Sequence, residues 1–418
     1  MGRKALIAVL AVLLAVTTAD AAGRKAFKSS GFTSAAGINR ELISHAPLDS
    51  PSDPLNTYLG TGTLTLDRDH DVSHSATYLS QDNGFISVAT ADTLRIESAG
   101  ALIEGPTTNL THFSEQFDHV EWSKIDVSVS PDNILSPAGT LTADRMTVVT
   151  TGDGPTLNVS QAGDLVFSAS WFVKAGTTAD FRIREENYVG TVAAFNLATG
   201  VVVSGPGRIQ AYPNGWYRCS IYFTYAAGQT NAQFKGKVYG DVGQYLYLWG
   251  AQFEVGGFPT SYLQTIGGTV SRNGDDLTVP SPASDFGVSA ATGSAYAELT
   301  PLPGAEGSLG VILGSGASFV LANWGGDAAF YDGATLPTDG DIVANTTSRI
   351  GTRWSGSEAG IIVNGGTITT GNFNGTLNLN SWRIGSNAAS TWFAYGHIKN
   401  VKLWNRALSD AELKAITQ

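Results

Sequence analysis

The chain has 418 residues, of which 49 are Gly, 2 are Met and one is Cys, with 15% charged residues and a formal net charge of −11. That length carries two or three domains with their own cores, and abundant Gly, Thr, Ser and Val is what many short strands joined by tight turns require. The acidic balance excludes the basic face that phosphate-backbone contacts need, so no nucleic-acid partner is expected, and the single Cys219 excludes an intrachain disulfide.

The first element is apolar. Arg3 and Lys4 precede the run from Ala5 to Val16, and Ala19-Asp20-Ala21 follows it. Two readings of residues 1–25 stand. One is a secretory signal peptide, with its basic, apolar and small-residue regions in order. The other is a retained helix whose apolar surface is buried against other chains, an anchor. The run is shorter than the roughly 20 apolar residues a bilayer crossing takes, so no stable membrane insertion is expected. Residues 26–75 carry Arg24, Lys25 and Lys28 at or beside their start, and Pro47, Pro51 and Pro54 interrupt any long helix. They read as an extended arm or a flexible linker.

Residues 76–104 alternate apolar and polar side chains in short runs, with Asp82-Asn83-Gly84 as a turn, and predict a β-hairpin connector. Residues 105–266 then give short strands at regular spacing: Leu165 to Val173, Phe181 to Arg184, Val201 to Val203, Arg218 to Tyr225 and Tyr245 to Trp249. Such spacing with Gly turns predicts a β-sandwich. Cys219 falls in an apolar strand and is expected as a buried, inert thiol.

Two stretches bracket this domain. Gly100-Ala-Leu-Ile-Glu-Gly-Pro-Thr-Thr-Asn109-Leu110 opens it, after Ala76-Thr-Tyr-Leu. Tyr245-Leu-Tyr-Leu-Trp249-Gly-Ala-Gln252-Phe-Glu254 through Phe-Pro259-Thr-Ser-Tyr262 closes it. Between them come, in order, Phe113-Ser-Glu-Gln-Phe117, Glu121-Trp122-Ser-Lys, Ser170-Trp-Phe-Val-Lys174, Phe195-Asn-Leu-Ala-Thr-Gly200 and Asn214-Gly-Trp216-Tyr217-Arg218-Cys219. Over about half of the chain this order resembles a module of bacteriophage and prophage fibre and spike proteins. The resemblance implies a carbohydrate-binding-module-like jelly roll, a place on a virion surface, and attachment of residues 1–25 to a head or tail protein.

Sugars stack their C–H faces on aromatic rings while their hydroxyls bond to polar side chains. Trp122, Tyr188, Tyr212 and Tyr239 are the expected exposed aromatics of the jelly roll. The segment Arg182-Ile-Arg184-Glu185-Glu186-Asn187-Tyr188 offers the mixture a glycan needs; the competing reading is a solvated strand face whose tyrosine covers a core edge. Trp171, Trp216 and Trp249 lie in apolar strands and are expected in the core.

Residues 267–283 read as a linker, and 284–418 return to strands. The close, from Trp392 to Leu413, with Val363-Asn-Gly365 and Arg383-Ile-Gly385 before it, resembles concanavalin-like and laminin-G-like lectin sandwiches. Ser409 with Glu412 three residues on predicts a capping box for a last short helix. Asn323, Asp327, Asp332, Asn372 and Asn374 are oxygen-rich turn residues of the kind Ca²⁺ takes, but no spaced Asp-x-Asp motif joins them, and turn capping accounts for them. No cofactor is expected. Trp324 and Trp392 sit among Ser, Asn, Gly and Asp at strand ends and are the expected ligand contacts here, whereas Trp404 belongs to a core strand.

The Glu-x-Asp-x-x-Glu strand that glucanases of this shape carry is absent, as are Gly-x-Ser-x-Gly and His-Glu-x-x-His, and the six His are scattered. No catalytic residue is expected. The whole therefore reads as an all-β chain of two antiparallel sandwiches in tandem behind an apolar helix and arm. Its expected role is that of a non-enzymatic virion fibre or spike protein, a homotrimer binding host-surface polysaccharide. The alternatives are a structural decoration of the virion and a secreted bacterial adhesin.

Overall fold

The computed structural model describes residues 42–46, 65–67, 77–81, 83–89, 93–150, 154–160, 165–186, 192–225, 231–279, 281–315, 318–334, 337–380, 382–387 and 389–418. The apolar run from Ala5 to Val16 and the basic residues at 24, 25 and 28 lie outside them. Nearly all described elements are strands, and they form two antiparallel β-sandwiches. Among the described residues no helix is long and apolar enough to cross a membrane.

The N-terminal sandwich packs two six-stranded sheets. One runs Gly207–Tyr212, Trp216–Thr224, Val166–Ala175, Tyr245–Val255, Leu141–Val148, Val127–Leu135; the other runs Val201–Ser204, Val192–Asn196, Asp180–Glu185, Asn231–Tyr239, Pro155–Ser160, Ser123–Lys124. Alternation fixes the faces. In Asp180–Glu185 the side chains of Phe181 and Ile183 enter the core while Arg182 and Arg184 stay on the outer face. Phe234 and Phe253 meet across the sheets with ring centroids 4.1 Å apart, and Trp171 and Cys219 are buried with them. Burial alone pushes the Cys219 thiol well up, which leaves it protonated and inert. Trp216 and Trp249 are buried in a second cluster with Phe172 and Tyr262.

The C-terminal sandwich draws strands from both sides of the N-terminal one. Its eight-stranded sheet runs Thr369–Asn372, Glu358–Val363, Ser348–Ser355, Thr292–Pro301, Gly396–Trp404, Gly100–Ile103, Arg95–Glu97, with Leu42–Ala46 also paired to Gly396–Trp404. Its seven-stranded sheet runs Thr65–Asp67, Asp276–Val279, Trp382–Ile384, Gly310–Gly314, Phe319–Trp324, Asp327–Tyr331, Thr338–Asp341. Strands from the expected arm, connector and linker are thus part of this sandwich. Trp354, Trp382 and Phe330 fill the space between its sheets. The helix Asp410–Thr417 carries the expected capping box, with Ser409 and Glu412 each accepting the other's backbone N–H, and lays Leu413 and Ile416 on Tyr296 and Trp404.

Where the two sandwiches meet, two guanidinium groups and three carboxylates are fully buried: Arg95, Arg272, Glu104, Asp275 and Glu254. Arg95 Nη1 donates to Glu104 at 2.6 Å and to Ser261 Oγ at 2.6 Å, and its Nη2 pairs with Asp275. Arg272 Nη2 lies 3.2 Å from Glu104 and donates to the Gly105 carbonyl at 3.0 Å. Burial opposes the Glu104 charge, yet Arg95 and Arg272 outweigh it and hold the carboxyl below the usual carboxylate range. Glu254 is bonded instead by neutral donors, the hydroxyls of Thr107 and Thr260, the Thr260 N–H and Gln252 Nε2.

Removing one partner of a buried ion cluster strands the others, at a cost of about 3–5 kcal/mol. Arg95→Met is therefore expected to lower the unfolding free energy from denaturant titration by that much; an unchanged value would show that the cluster does not hold the sandwiches. A second expectation concerns Asp144. Burial pushes its carboxyl up to about 7, although the backbone N–H groups of Asp132 and Phe117 donate to it. The folded chain thus holds a proton that the unfolded chain releases near the ordinary carboxylate value. The stability this contributes is complete below that value and is lost as pH rises through about 7. Melting curves of wild type and Asp144→Asn should shift in favour of the variant between about pH 4 and pH 7.

Candidate functional site

The outer face of the seven-stranded sheet carries an aromatic cluster beside an ion pair. Thr278, Arg383, Gly314, Phe319 and Tyr331 lie opposite one another across five adjacent strands. Register places them on one face, and the neighbouring row of Leu277, Ile384, Leu313 and Leu321 points into the core. Gly314 opens a gap between Arg383 and Phe319. Its φ is 153°, and a Cβ there would lie 2.4 Å from the Phe319 Cα.

Phe319 is the floor of the cluster. Trp324 stacks on it at 6.0 Å, Tyr331 lies at 5.0 Å and Trp392 meets it edge-on at 6.5 Å. Trp324 ends its strand at a Gly325-Gly326 turn, both glycines at positive φ, and so stands at the sheet margin. Trp392 arrives from the loop after Trp382–Ile384, where Asn387 Oδ1 accepts the N–H groups of Thr391 and Trp392 at 2.7 and 3.1 Å. The two tryptophans, 68 positions apart in the chain (392 − 324), stand 6.1 Å apart at 86° and are both half-buried. Arg383 pairs with Asp276 on the same face, and Ser390 Oγ lies 3.4 Å from Asp276. Rings that offer apolar faces, next to fixed donors and acceptors, suit a ligand with both C–H and O–H surfaces.

The structure therefore brings together Trp324 and Trp392, each expected on its own from sequence. Phe319, Tyr331, Arg383 and Asp276 were not anticipated. The run Phe319-Val-Leu-Ala held one signal, since a strand apolar at successive positions has both faces covered.

The jelly-roll candidates fare differently. Trp122, expected at the surface, is 1% exposed; its ring packs 5.1 Å from Phe117 and its Nε1–H donates to the Phe113 carbonyl at 2.8 Å. It is a core residue, and no ligand reaches it. Asn187 and Tyr188 lie outside the described residues. Arg182 and Arg184 are half-buried on the outer face of their sheet. Arg182 bonds Asp180 and lies 3.5 Å over the Tyr239 ring, while Glu186 bridges Arg184 at 3.2 Å and Lys235 at 2.7 Å. Arg182 stands opposite Lys237 and Arg184 opposite Lys235. Tyr212 is half-buried edge-on to Phe172.

Among the turn residues, Asp332 Oδ1 and Oδ2 accept the N–H groups of Ala334 and Asn374, and Asn323 Oδ1 accepts that of Gly326. These side chains are engaged by backbone N–H groups, those of Ala334 and Gly326 nearby and that of Asn374 42 positions along the chain, and among the described residues no group of three or more His, Cys, Asp or Glu is gathered for a metal.

No protein-family model matches the chain, and no curated protein matches it in sequence. Several solved structures are similar to parts of it at low scores. Domain 4 of an extracellular arabinanase from Geobacillus stearothermophilus is 14% identical over 35% of this chain and 73% of its own, with a TM-score of 0.28. Domains LG4-5 of the mouse laminin alpha1 chain are 12% identical over 62% of this chain and 90% of their own, with a TM-score of 0.23. The N-terminal CBM22-1-CBM22-2 tandem domain of Paenibacillus barcinonensis Xyn10C is 10% identical over 73% of this chain and 99% of its own, with a TM-score of 0.25.

Gly314 offers a test of how the aromatic face is built. Gly314→Ala adds a methyl in a strained φ and against Phe319, and should cost about 1–3 kcal/mol. Near-ultraviolet circular dichroism should change with it as Phe319, Trp324 and Trp392 shift; full stability with an unaltered aromatic spectrum would contradict the close approach.

Proposed function

We propose that the chain is a non-enzymatic glycan-binding protein of a virion surface, a fibre or spike that attaches to host polysaccharide through its C-terminal sandwich. The observation that carries the reading is the convergence of Trp324 and Trp392 on one outer sheet face beside Arg383 and Asp276. A core has no use for two indoles left half exposed at a sheet margin. A sugar does, because its ring stacks on them while its hydroxyls bond the flanking charges. The virion setting rests on the ordered motifs from Gly100 to Tyr262 and their likeness to fibre and spike modules. Residues 1–25 are then the attachment to head or tail, and a homotrimer is the assembly that gains by burying them.

A glycan array probed with the full chain tests the reading. Trp392→Ala and Trp324→Ala should each weaken the best glycan by about 1–3 kcal/mol, roughly five- to 150-fold. Their loss of stability should stay below the roughly 3–5 kcal/mol of a buried Trp. Large destabilisation with unchanged affinity would make them core residues. No binding to any glycan would favour a structural decoration, and release of reducing sugar by the wild type would make the protein an enzyme. The signal-like layout of residues 1–25 also supports a secreted adhesin, which a mass spectrum of the native N-terminus distinguishes.

A further inference from the structure

An open cleft lies between the two sandwiches. One wall is the edge strand Gly207–Tyr212 of the N-terminal sandwich with Arg218 behind it; the other is the end of the eight-stranded sheet at Glu97 and His397. Most of its charges are engaged. Arg218 donates to Ser170 Oγ and to the Thr260 carbonyl at 2.6 Å, and His397 Nε2 lies 2.9 Å from Glu97, which also accepts the Leu79 N–H.

Arg208 is the exception. Its guanidinium is fixed in three ways: Nη1 donates to the Gly257 carbonyl at 2.9 Å, the plane lies 4.6 Å from the Tyr222 ring centre, and Gly304 of the other sandwich packs so close that a Cβ there would lie 2.6 Å from Cζ. No acidic side chain among the described residues pairs with it. A guanidinium held in place with Nε and Nη2 bonded to no described residue is preorganised for a planar anion. Gln210 is exposed two positions along the strand, and the half-buried Tyr212 ring follows it.

We propose that this cleft is a second glycan site, separate from the aromatic face, and that it takes a carboxylate-bearing sugar residue such as a uronic acid. Arg208 receives the carboxylate, Gln210 and the Glu97–His397 pair bond ring hydroxyls, and Tyr212 meets a C–H face. The inference rests on the glycan-binding reading for its ligand class, but not on Trp324 or Trp392.

Calorimetric titration of the full chain with trigalacturonate, and with the neutral galactose trisaccharide of the same linkage, tests it. The wild type should bind the acidic trisaccharide and bind the neutral one more weakly. Arg208→Gln should lose ten- to hundredfold for the acid alone, with Arg208→Lys intermediate and both melting like the wild type. The Trp324→Ala/Trp392→Ala double variant should keep the acidic binding. No binding of trigalacturonate by the wild type, equal binding of both trisaccharides, or undiminished binding by Arg208→Gln would each overturn the proposal. Binding lost in the tryptophan variant and kept in Arg208→Gln would overturn it too, by moving the acid to the aromatic face. Failure of the tryptophan variants on the glycan array bears on the first site only.

Discussion

Everything in this fold hangs on a buried electrostatic joint. Arg95 and Glu104 come from a hairpin in the eight-stranded sheet, while Arg272 and Asp275 come from the chain as it leaves the N-terminal sandwich. Putting such charges out of water is costly, and their mutual attraction repays it only with close geometry and full hydrogen bonding. A hydrophobic contact would tolerate sliding or rotation between the sandwiches. A cluster in which each guanidinium must meet a particular carboxylate does not, because a displaced arrangement leaves a bare charge inside. The joint therefore selects one orientation, and the cleft walls beside it inherit that fixed spacing.

The same joint explains what was readable from sequence. The stretches around Glu104 and Glu254 stood out as bracketing motifs, and their polar residues meet there. Glu104 takes the Ser261 N–H and hydroxyl, Thr107 and Thr260 close on Glu254, and Asn109 bonds the Ala251 and Leu263 carbonyls. A polar network that must be satisfied in full leaves a recognisable pattern, since each member constrains the next. The pattern marked architecture rather than a ligand.

Other features were legible in part. Trp324 and Trp392 announced themselves by their Gly, Asn and Ser surroundings, but their meeting depends on register across the strands and on a loop, neither of which a linear reading supplies. Arg383 and Phe319 share a face through their register on either side of Gly314. Trp122 misled because Glu, Ser and Lys flank it; its neighbours do face outward, while the indole turns in to Phe117 and finds a backbone acceptor for its N–H. Likewise the alternation in Asp180–Glu185 gave the faces correctly, yet nothing local told that Lys235 and Lys237 would stand across from the two arginines.

The route of the chain also has a consequence during synthesis. Gly100–Ile103 leaves the ribosome about 300 residues before its partner Gly396–Trp404. The N-terminal sandwich, from 107 to 272, is complete long before, and its two ends already pair through Thr107–Asn109 and Val270–Arg272. The inserted unit can therefore form while the host sandwich waits with Arg95–Glu97 and Gly100–Ile103 as an open edge. Such non-local closure is slow, and the waiting edge is a template for the wrong neighbour. Assembly of the outer domain is thus timed by Gly396–Trp404, and a nascent chain cut short before residue 396 would carry a finished insert on an unfinished frame.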